Sequence, residues 1–247
     1  MRKTHSLAGT STVFLITIAI GGLLAVSVAA QNPELQQRMA ELKQSTAENK
    51  QKLATYTWVE QVTISLKGEQ KKQEKFQVRL GPDGKPQKTP IDQGAAASSA
   101  PPAGGGRGGR VKERVVEKKK EEYKEYADNM KSLMEQYIPP DKDRLQQAMQ
   151  KGNISMAPVP GSSSQVQLVI HDYLKPKDSM TLMFDKEQKQ LVGMQVASYL
   201  NDPTDAVSLS VKMSQLPDGV RHVDSVVLDG VSKQINVAIQ NSNYQHL

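Results

Sequence analysis

Cysteine is absent from this chain of 247 residues. Its absence excludes disulfide bonds, thiol catalysis, cysteine metal sites and a lipid attached through a cysteine. Aromatic residues are also scarce, at 4% of the sequence with a single tryptophan, and histidine occurs only four times. Without disulfides, the folded chain has to be stabilised by its hydrophobic core.

The first thirty residues have the pattern of a secretory signal peptide. Two basic residues precede an apolar run from Val13 to Val28, which ends in Ala29-Ala30. A basic start, a hydrophobic middle and small residues at the cut define such a signal. We therefore expect residues 1–30 to be removed and the mature protein to be periplasmic or secreted. The alternative is an uncleaved N-terminal anchor, because the apolar run reaches the lower end of the spanning range, roughly 17–25 residues.

The chain is basic, with a formal net charge of +6. Much of this charge lies between residues 107 and 120, which contain several lysines and arginines. Because an export signal separates the chain from cytoplasmic nucleic acid, we expect no nucleic-acid partner. The basic segment is instead a solvated helix end, suited to contact an envelope protein or an anionic membrane surface.

A period of two residues dominates two stretches of the chain. From Tyr56 to Leu80, apolar and polar residues alternate on either side of a turn at 67–69, which predicts a β-hairpin with one buried face. Glu60 is the exception on the apolar side of that pattern. From Gln165 to the C-terminus, about six further strands alternate with turn residues, which predicts an antiparallel meander.

Helical patterns precede and separate these strand regions. Asn32-Pro33 predicts the start of a helix that ends near Lys52. After a flexible Gly/Ala/Pro-rich loop at 92–110, apolar residues recur at helical spacing from about Val111 to Tyr137, and a short helix follows Asp141. We expect an α+β fold, an open curved antiparallel β-sheet (a half-barrel) covered by helices, with residues 31–247 forming one domain interrupted by the loop.

No residue pattern indicates catalysis. The histidines do not occur in a metal-binding pair such as HExxH, and the serines at 162–164 lack the surroundings of a nucleophile elbow. His222 and Asp224 would share one face of a strand, but polar alternation at a surface explains them better than a metal or proton site. We therefore predict that the protein is not an enzyme and that it has no cofactor and no catalytic or metal site.

The order of elements resembles the LolA-like family of periplasmic lipoprotein carriers, with its LolB and RseB-like relatives. The matching stretches are Leu-Ala-Thr-Tyr-Thr-Trp-Val-Glu at 53–60, after the first helix, and Leu-Pro-Asp-Gly-Val at 216–220, before the last strands. The resemblance spans most of the mature chain. It implies a curved half-barrel sheet closed by helices, with an apolar cavity for acyl chains.

These observations favour an exported, non-catalytic binding protein that holds a lipid or a lipoprotein acyl chain in an apolar cavity. Burial of apolar surface, at about 25 cal/mol per Å², would hold such a chain in a dry groove. A cell-envelope interaction module without a small ligand is the alternative, and an exported hydrolase is a third. The predicted wall of the cavity consists of apolar side chains from the strands: Tyr56, Trp58, Val62, Ile64, Phe76, Val78, Leu182 and Phe184.

Overall fold

The structure is a computed structural model that describes residues 47–91, 109–188 and 190–247. For residues 109–116 and 142 only the backbone is described. The predicted signal peptide, most of the first predicted helix and positions 92–108 of the predicted loop lie outside the described residues. Gly109 and Arg110, which the sequence pattern assigns to the loop, are instead the first residues of a helix.

The described residues contain ten β-strands. Their bounds are β1 (Tyr56–Leu66), β2 (Glu69–Leu80), β3 (Pro86–Pro90), β4 (Ile154–Pro158), β5 (Gln165–His171), β6 (Ser179–Asp185), β7 (Gln190–Tyr199), β8 (Ala206–Gln215), β9 (Arg221–Gly230) and β10 (Ile235–His246). All ten form a single open sheet in the order β3-β2-β1-β10-β9-β8-β7-β6-β5-β4. Every neighbouring pair is antiparallel.

The pairing of β1 with β10 joins the N-terminal hairpin to the C-terminal meander. Val62 pairs with Ile239, and Ile239 pairs with Val226 on β9. Because alternate residues of a strand point to one face, this register aligns the apolar sides of the three strands. The predicted antiparallel sheet is confirmed, and the two stretches of alternating residues form one sheet.

The two edge strands were not part of the sequence prediction. β3 and β4 have five residues each, and β3 begins and ends with proline while β4 ends with Pro158. Proline cannot donate a backbone hydrogen bond to a ladder, so it occurs mainly on edge strands. Short, proline-containing segments at the two edges therefore leave no clear alternating signal, although both are paired in the sheet.

Two helices of the described residues lie between the edge strands β3 and β4 in the chain. They are α1 (Gly109–Met134) and α2 (Lys142–Gln150), and the Asp141 side chain caps α2 by accepting a hydrogen bond from Arg144 N. The prediction extended the first of these helices to Tyr137, but α1 ends at Met134 and a turn follows it. A further helical segment at 47–53 precedes β1. Among the described helices, none has the length and apolar character needed to cross a bilayer.

The side chains of α1 contact the sheet at Gly230 in β9. A Cβ atom at this position would lie 2.5 Å from Met130 Sδ and 2.6 Å from Tyr126 Cε1, so glycine permits the close approach. The Tyr126 hydroxyl donates a hydrogen bond of 2.9 Å to Asp205 Oδ1. Tyr126 and Met130 therefore belong to the same buried cluster as the apolar face of the sheet.

Tyr137, just after α1, connects the helical region to two further parts of the sheet region. Its hydroxyl donates to Asp178 Oδ2 at 2.5 Å and lies 2.7 Å from Ser198 Oγ. Asp178 also accepts backbone N–H bonds from Tyr173, Leu174 and Lys175. Burial, with the hydrogen bond to Asp178, raises the pKa of the Tyr137 hydroxyl, so the group stays neutral and remains a donor.

Candidate functional site

A partly enclosed cavity of about 110 Å³ lies where β1, β2, β3, β9 and β10 meet. Within the described part of the chain, no side chain of α1 or α2 lines it. The lining consists mainly of aliphatic and aromatic side chains with a few polar groups: Leu53, Trp58, Glu60, Leu80, Pro86, Lys88, His222, Val223, Val226, Ile239, Asn241 and Tyr244. We call this cavity the Trp58 pocket.

Three rings pack in a row in the Trp58 pocket. Trp58 and Tyr244 stack with centroids 5.6 Å apart and planes at 18°. The His222 ring lies 4.1 Å from the Tyr244 ring, tilted by 40°. Aromatic rings give a binding site a large, rigid apolar surface with few torsions to fix.

An irregularity in β10 brings Tyr244 to this position. Thr57 pairs with Gln245, whereas Val59 pairs with Ser242, so β10 contains one residue more than β1 in this interval. Asn243, within it, has a φ of 54°, a left-handed conformation that asparagine tolerates better than most residues. A bulge of this kind re-aims the neighbouring side chains.

Leu53 reaches the Trp58 pocket from the helical segment at 47–53. Asn49 in this segment forms two hydrogen bonds with the backbone of Arg221 at the start of β9. Arg221 N donates to Asn49 Oδ1 at 2.7 Å, and Asn49 Nδ2 donates to Arg221 O at 3.0 Å. This pair of bonds fixes the segment beside β9, and the Leu53 side chain becomes part of the apolar wall.

The charged groups of the Trp58 pocket are paired with each other. Lys88 Nζ donates to Glu60 Oε1 at 2.5 Å, and the two side chains are only 6% and 9% exposed. A buried charge is tolerated when an opposite charge compensates it. The ion pair therefore leaves the pocket without net charge from these two residues.

Two polar atoms of the pocket residues have no hydrogen-bond partner in the described part of the chain. They are Trp58 Nε1, a donor, and Asn241 Oδ1, an acceptor, and both are buried. Asn241 Nδ2 donates to Val223 O at 3.0 Å, which fixes the orientation of the amide and leaves Oδ1 on its other side. Unpaired buried polar atoms are rare in folded proteins because each loses its hydration without compensation.

Tyr244 contributes a hydroxyl donor to this region. Its hydroxyl donates to Val223 O at 3.1 Å. Burial raises the pKa of Tyr244, and the negative charges of Asp224 and Glu60 raise it further. The hydroxyl therefore stays protonated at neutral pH, and the aromatic row carries no charge at Tyr244.

The predicted wall residues fall into two groups in the structure. Trp58 lines the pocket, whereas Val62, Phe76 and Val78 are buried in the core on β1 and β2 and are not among the lining residues. Ile64 is partly buried against the core, and Tyr56 is half-buried with its hydroxyl donating to Asp218 Oδ2 at 2.8 Å.

The other two predicted residues lie on β6, which four strands separate from β1 in the sheet order. Leu182 is buried there, and Phe184 is partly buried against the core. Neither residue is among those that line the Trp58 pocket.

The sequence analysis missed most of the other residues of the Trp58 pocket. Lys88 lies on an edge strand that the pattern did not predict, and Tyr244 follows the irregularity in β10. Only Glu60, the charged residue on an apolar face, signalled that a buried partner was needed.

His222 and Asp224 have separate partners. His222 Nδ1 lies 3.1 Å from Val223 O, and Asp224 Oδ2 lies 3.4 Å from Lys212 Nζ. In the described residues, no group of three or more histidine or acidic side chains is arranged to hold a metal ion. The Trp58 pocket offers a concave, mainly apolar surface with a few fixed polar groups.

Comparisons of the chain with protein-family models, with curated proteins and with solved structures gave no match in any of the three. A fold alone does not determine function, so the Trp58 pocket is the feature of the described residues that bears on it.

Proposed function

We propose that this is an exported, non-catalytic binding protein that holds a lipid or lipoprotein acyl chain, with the apolar end of the chain in the Trp58 pocket. The observation that carries the proposal is the concave wall formed by Trp58, Tyr244 and the aliphatic side chains around them. In this proposal the sheet is a curved half-barrel whose inner face is covered by α1 and α2 and left open at the pocket.

The contacts of the helical region favour an inner face that α1 and α2 cover in part and leave open at the Trp58 pocket. Tyr126 and Met130 fill the space above Gly230, and Tyr137 fills the space near Asp178 and Ser198. The described side chains that line the Trp58 pocket come from strands and from the segment at 47–53. A ligand can therefore enter there without displacing α1 from its glycine contact.

The size of the pocket limits the part of the ligand that it holds. Its volume is about 110 Å³, and an apolar cavity of about 150 Å³ accepts a molecule the size of benzene. The pocket thus takes the last few carbons of a chain, while the remainder lies along the opening. Each methylene group buried contributes about 0.8 kcal/mol, so affinity should rise over the first few carbons and then level off.

The sole tryptophan makes the proposal directly testable, because Trp58 is the only source of indole fluorescence and lines the pocket. The mature protein is titrated with straight-chain amphiphiles of increasing length, and a fluorescent fatty acid is displaced in parallel. We expect a saturable change in Trp58 emission and lipid that co-purifies in native mass spectrometry. A clean apo mass with no binding of any acyl probe would overturn the proposal.

A matched pair of variants separates binding in the pocket from binding elsewhere. Val226→Phe fills the pocket and should weaken acyl binding at least tenfold, whereas Val231→Phe, at an exposed position on a turn, should leave it unchanged. If Val226→Phe fails to fold, Leu53→Phe at the partly buried edge of the pocket replaces it. Equal binding by the pocket-filling and the control variant would place the ligand elsewhere.

The same measurements test the alternative, an envelope interaction module. The exposed lysines at 118–120 on α1 are its candidate contacts with a protein partner or an anionic surface. An apo mass, no response to any acyl probe and salt-dependent binding to anionic vesicles would together favour this alternative.

A further inference from the structure

The strand β4 forms one end of the sheet, and in the described residues no further strand pairs with it. His171 N donates to Asn153 O at 2.8 Å, and Val159 N donates to Gln165 O at 3.0 Å. Because bonded and non-bonded pairs alternate along an antiparallel ladder, the odd-numbered residues of β4 bond to β5. The residues whose backbone groups point away from the sheet are therefore Ile154, Met156 and Pro158.

The open edge of β4 has little protection against pairing with another chain. Natural edge strands are protected by charged side chains, prolines or bulges. The chain has no charged residue from position 152 to position 170, although 23% of all its residues are charged. The pairing of β4 with β5 contains no register shift. Pro158 lacks an outward N–H group, but Ile154 and Met156 each present one at this edge.

The opposite edge of the sheet, at β3, is blocked. Ile91 N donates to Lys75 O at 2.9 Å. By the same alternation, the residues of β3 whose backbone groups point outward are Pro86, Lys88 and Pro90. Both prolines lack an N–H group, so Lys88 is left as the one outward donor of β3. A further strand would therefore pair poorly at β3, and β4 is the edge that favours it.

Met156 is the exposed end of an apolar row that crosses the sheet. It pairs with Leu168 on β5, which pairs with Leu182 on β6, and Leu182 pairs with Met194 on β7. Leu182 and Met194 are buried, whereas Met156 is 71% exposed. Because directly paired residues share a face, a strand added beside β4 would continue this row and bury the Met156 side chain.

We propose that β4 is a dimerisation edge, at which a second copy of this chain adds its own β4 in antiparallel orientation about Met156. The two Met156 residues then exchange both of their backbone hydrogen bonds. Each Ile154 N–H donates to the carbonyl oxygen of Pro158 of the partner subunit. The pairing is self-complementary, as a two-fold interface requires. It also joins two uncharged segments, so the net charge of +6 on each chain opposes association least at this edge.

This inference is independent of the proposed function. The Trp58 pocket lies at β1, β2, β3, β9 and β10, and four strands separate β9 from β4 in the sheet order. Dimerisation therefore leaves the pocket of each copy open. A dimer that binds no acyl chain would leave the dimer inference intact, and a monomer that binds one would leave the proposed function intact.

The first experiment is sedimentation velocity of the mature protein from about 1 μM to about 500 μM. Strands of five residues bury a small area, so we expect a reversible equilibrium between monomer and dimer, with a dissociation constant on the order of 10–100 μM. A protein that stays monomeric over the whole range would overturn the proposal. The open edge would then suit an extended segment of a different protein.

Two substitutions at Met156 test whether this edge forms the dimer. Met156→Pro removes the outward N–H and breaks no bond to β5, and Met156→Lys places like charges directly opposite each other. Each should weaken dimerisation at least tenfold, with an unchanged circular dichroism spectrum. Val231→Lys adds the same charge at an exposed turn and should dimerise like the parent. If Met156→Pro does not fold, Met156→Lys decides. Dimerisation of Met156→Lys with the affinity of the parent would overturn the proposal.

Cross-linking tests the antiparallel pairing itself. Because the chain lacks cysteine, Ser155→Cys provides a single thiol beside Met156. In pairing about Met156, Ser155 lies opposite Ala157 of the partner subunit, so the two cysteines are diagonal neighbours about 7–8 Å apart. A bismaleimide of similar span should join the two copies, whereas Ser210→Cys, exposed on β8, should stay monomeric on a denaturing gel. Equal cross-linking of the two variants would contradict the proposed pairing.

Discussion

Lys88 on β3 and Glu60 on β1 form an ion pair of 2.5 Å that reaches across the strand between them. Val78 on β2 pairs with Lys88 on one side and with Trp58 on the other. The lysine side chain therefore passes over β2 to meet the glutamate on the same face. This contact ties the edge strand to the interior of the sheet and forms one side of the Trp58 pocket.

Removal of one partner of this pair should destabilise the fold strongly. Lys88→Met leaves the buried Glu60 carboxylate uncompensated, and we expect the free energy of unfolding in urea to fall by about 3 kcal/mol. The double variant Lys88→Met with Glu60→Leu removes both charges and should recover most of that loss, to within about 1 kcal/mol of the parent.

The exposed pair of Lys71 with Glu69, both on β2, provides the control, because its side chains are 50% and 76% exposed. Lys71→Met should change the free energy of unfolding by less than about 1 kcal/mol. If the free energy of unfolding of Lys88→Met were no lower than that of Lys71→Met, water would be compensating the charge of the Glu60 carboxylate.

The sequence predicts the sheet well where strands are long and alternate regularly. The two strands of the N-terminal hairpin and the six strands after Gln165 show the two-residue period, and all eight occur in one sheet. β3 and β4 do not show this period, because each has only five residues and proline at an end. Lys88, the partner of Glu60, was not predicted because it lies on β3. An isolated charge on an apolar face nevertheless indicates that a buried partner of opposite charge is needed.

The pocket is harder to predict, because its composition depends on irregularities and on strand order. Ile235, Val237 and Ile239 follow the alternation of β10, but the extra residue near Asn243 breaks it before Tyr244. Alternation shows which face a residue occupies, and it does not show how far along the sheet its strand lies. Leu182 and Trp58 therefore appeared to share one wall, although four strands separate their strands.

Tyr137→Phe should weaken the attachment of the helical region to the sheet. The change removes the hydroxyl that donates to Asp178 and contacts Ser198, two buried polar residues. We expect a loss of about 1–3 kcal/mol in the free energy of unfolding, measured by chemical denaturation.

Tyr199→Phe is the matched control, since the Tyr199 hydroxyl donates to Pro176 O at an exposed site. It should change stability by less than about 0.5 kcal/mol. Equal losses of stability in the two variants would mean that the three backbone donors alone stabilise the buried Asp178 carboxylate, with no contribution from the Tyr137 hydroxyl.

Gly230→Ala tests whether α1 packs directly on β9. The added methyl group would meet Met130 Sδ at 2.5 Å and the Tyr126 ring at 2.6 Å. Overpacking of this kind costs about 1–3 kcal/mol. In a double-mutant cycle, the penalty should be smaller when Met130→Ala has already opened the space. Additive effects of the two substitutions would indicate that the helix does not contact the sheet at this glycine.

The stability of the protein should fall at alkaline pH, partly through Tyr126. Burial and the hydrogen bond to Asp205 raise the pKa of Tyr126 to about 12, whereas an unfolded chain has a tyrosine pKa of about 10. The stabilising contribution of the neutral hydroxyl is therefore complete below about pH 10 and is lost progressively as the pH approaches about 12. Unfolding free energies measured by denaturant at several pH values across this range should decrease less steeply in Tyr126→Phe than in the parent protein.

Other buried tyrosines, such as Tyr137, also make the free energy of unfolding depend on pH in the variant. The test is therefore the difference between the pH curves of the variant and the parent protein. Parallel curves would show that Tyr126 ionises equally easily in the folded and unfolded chain.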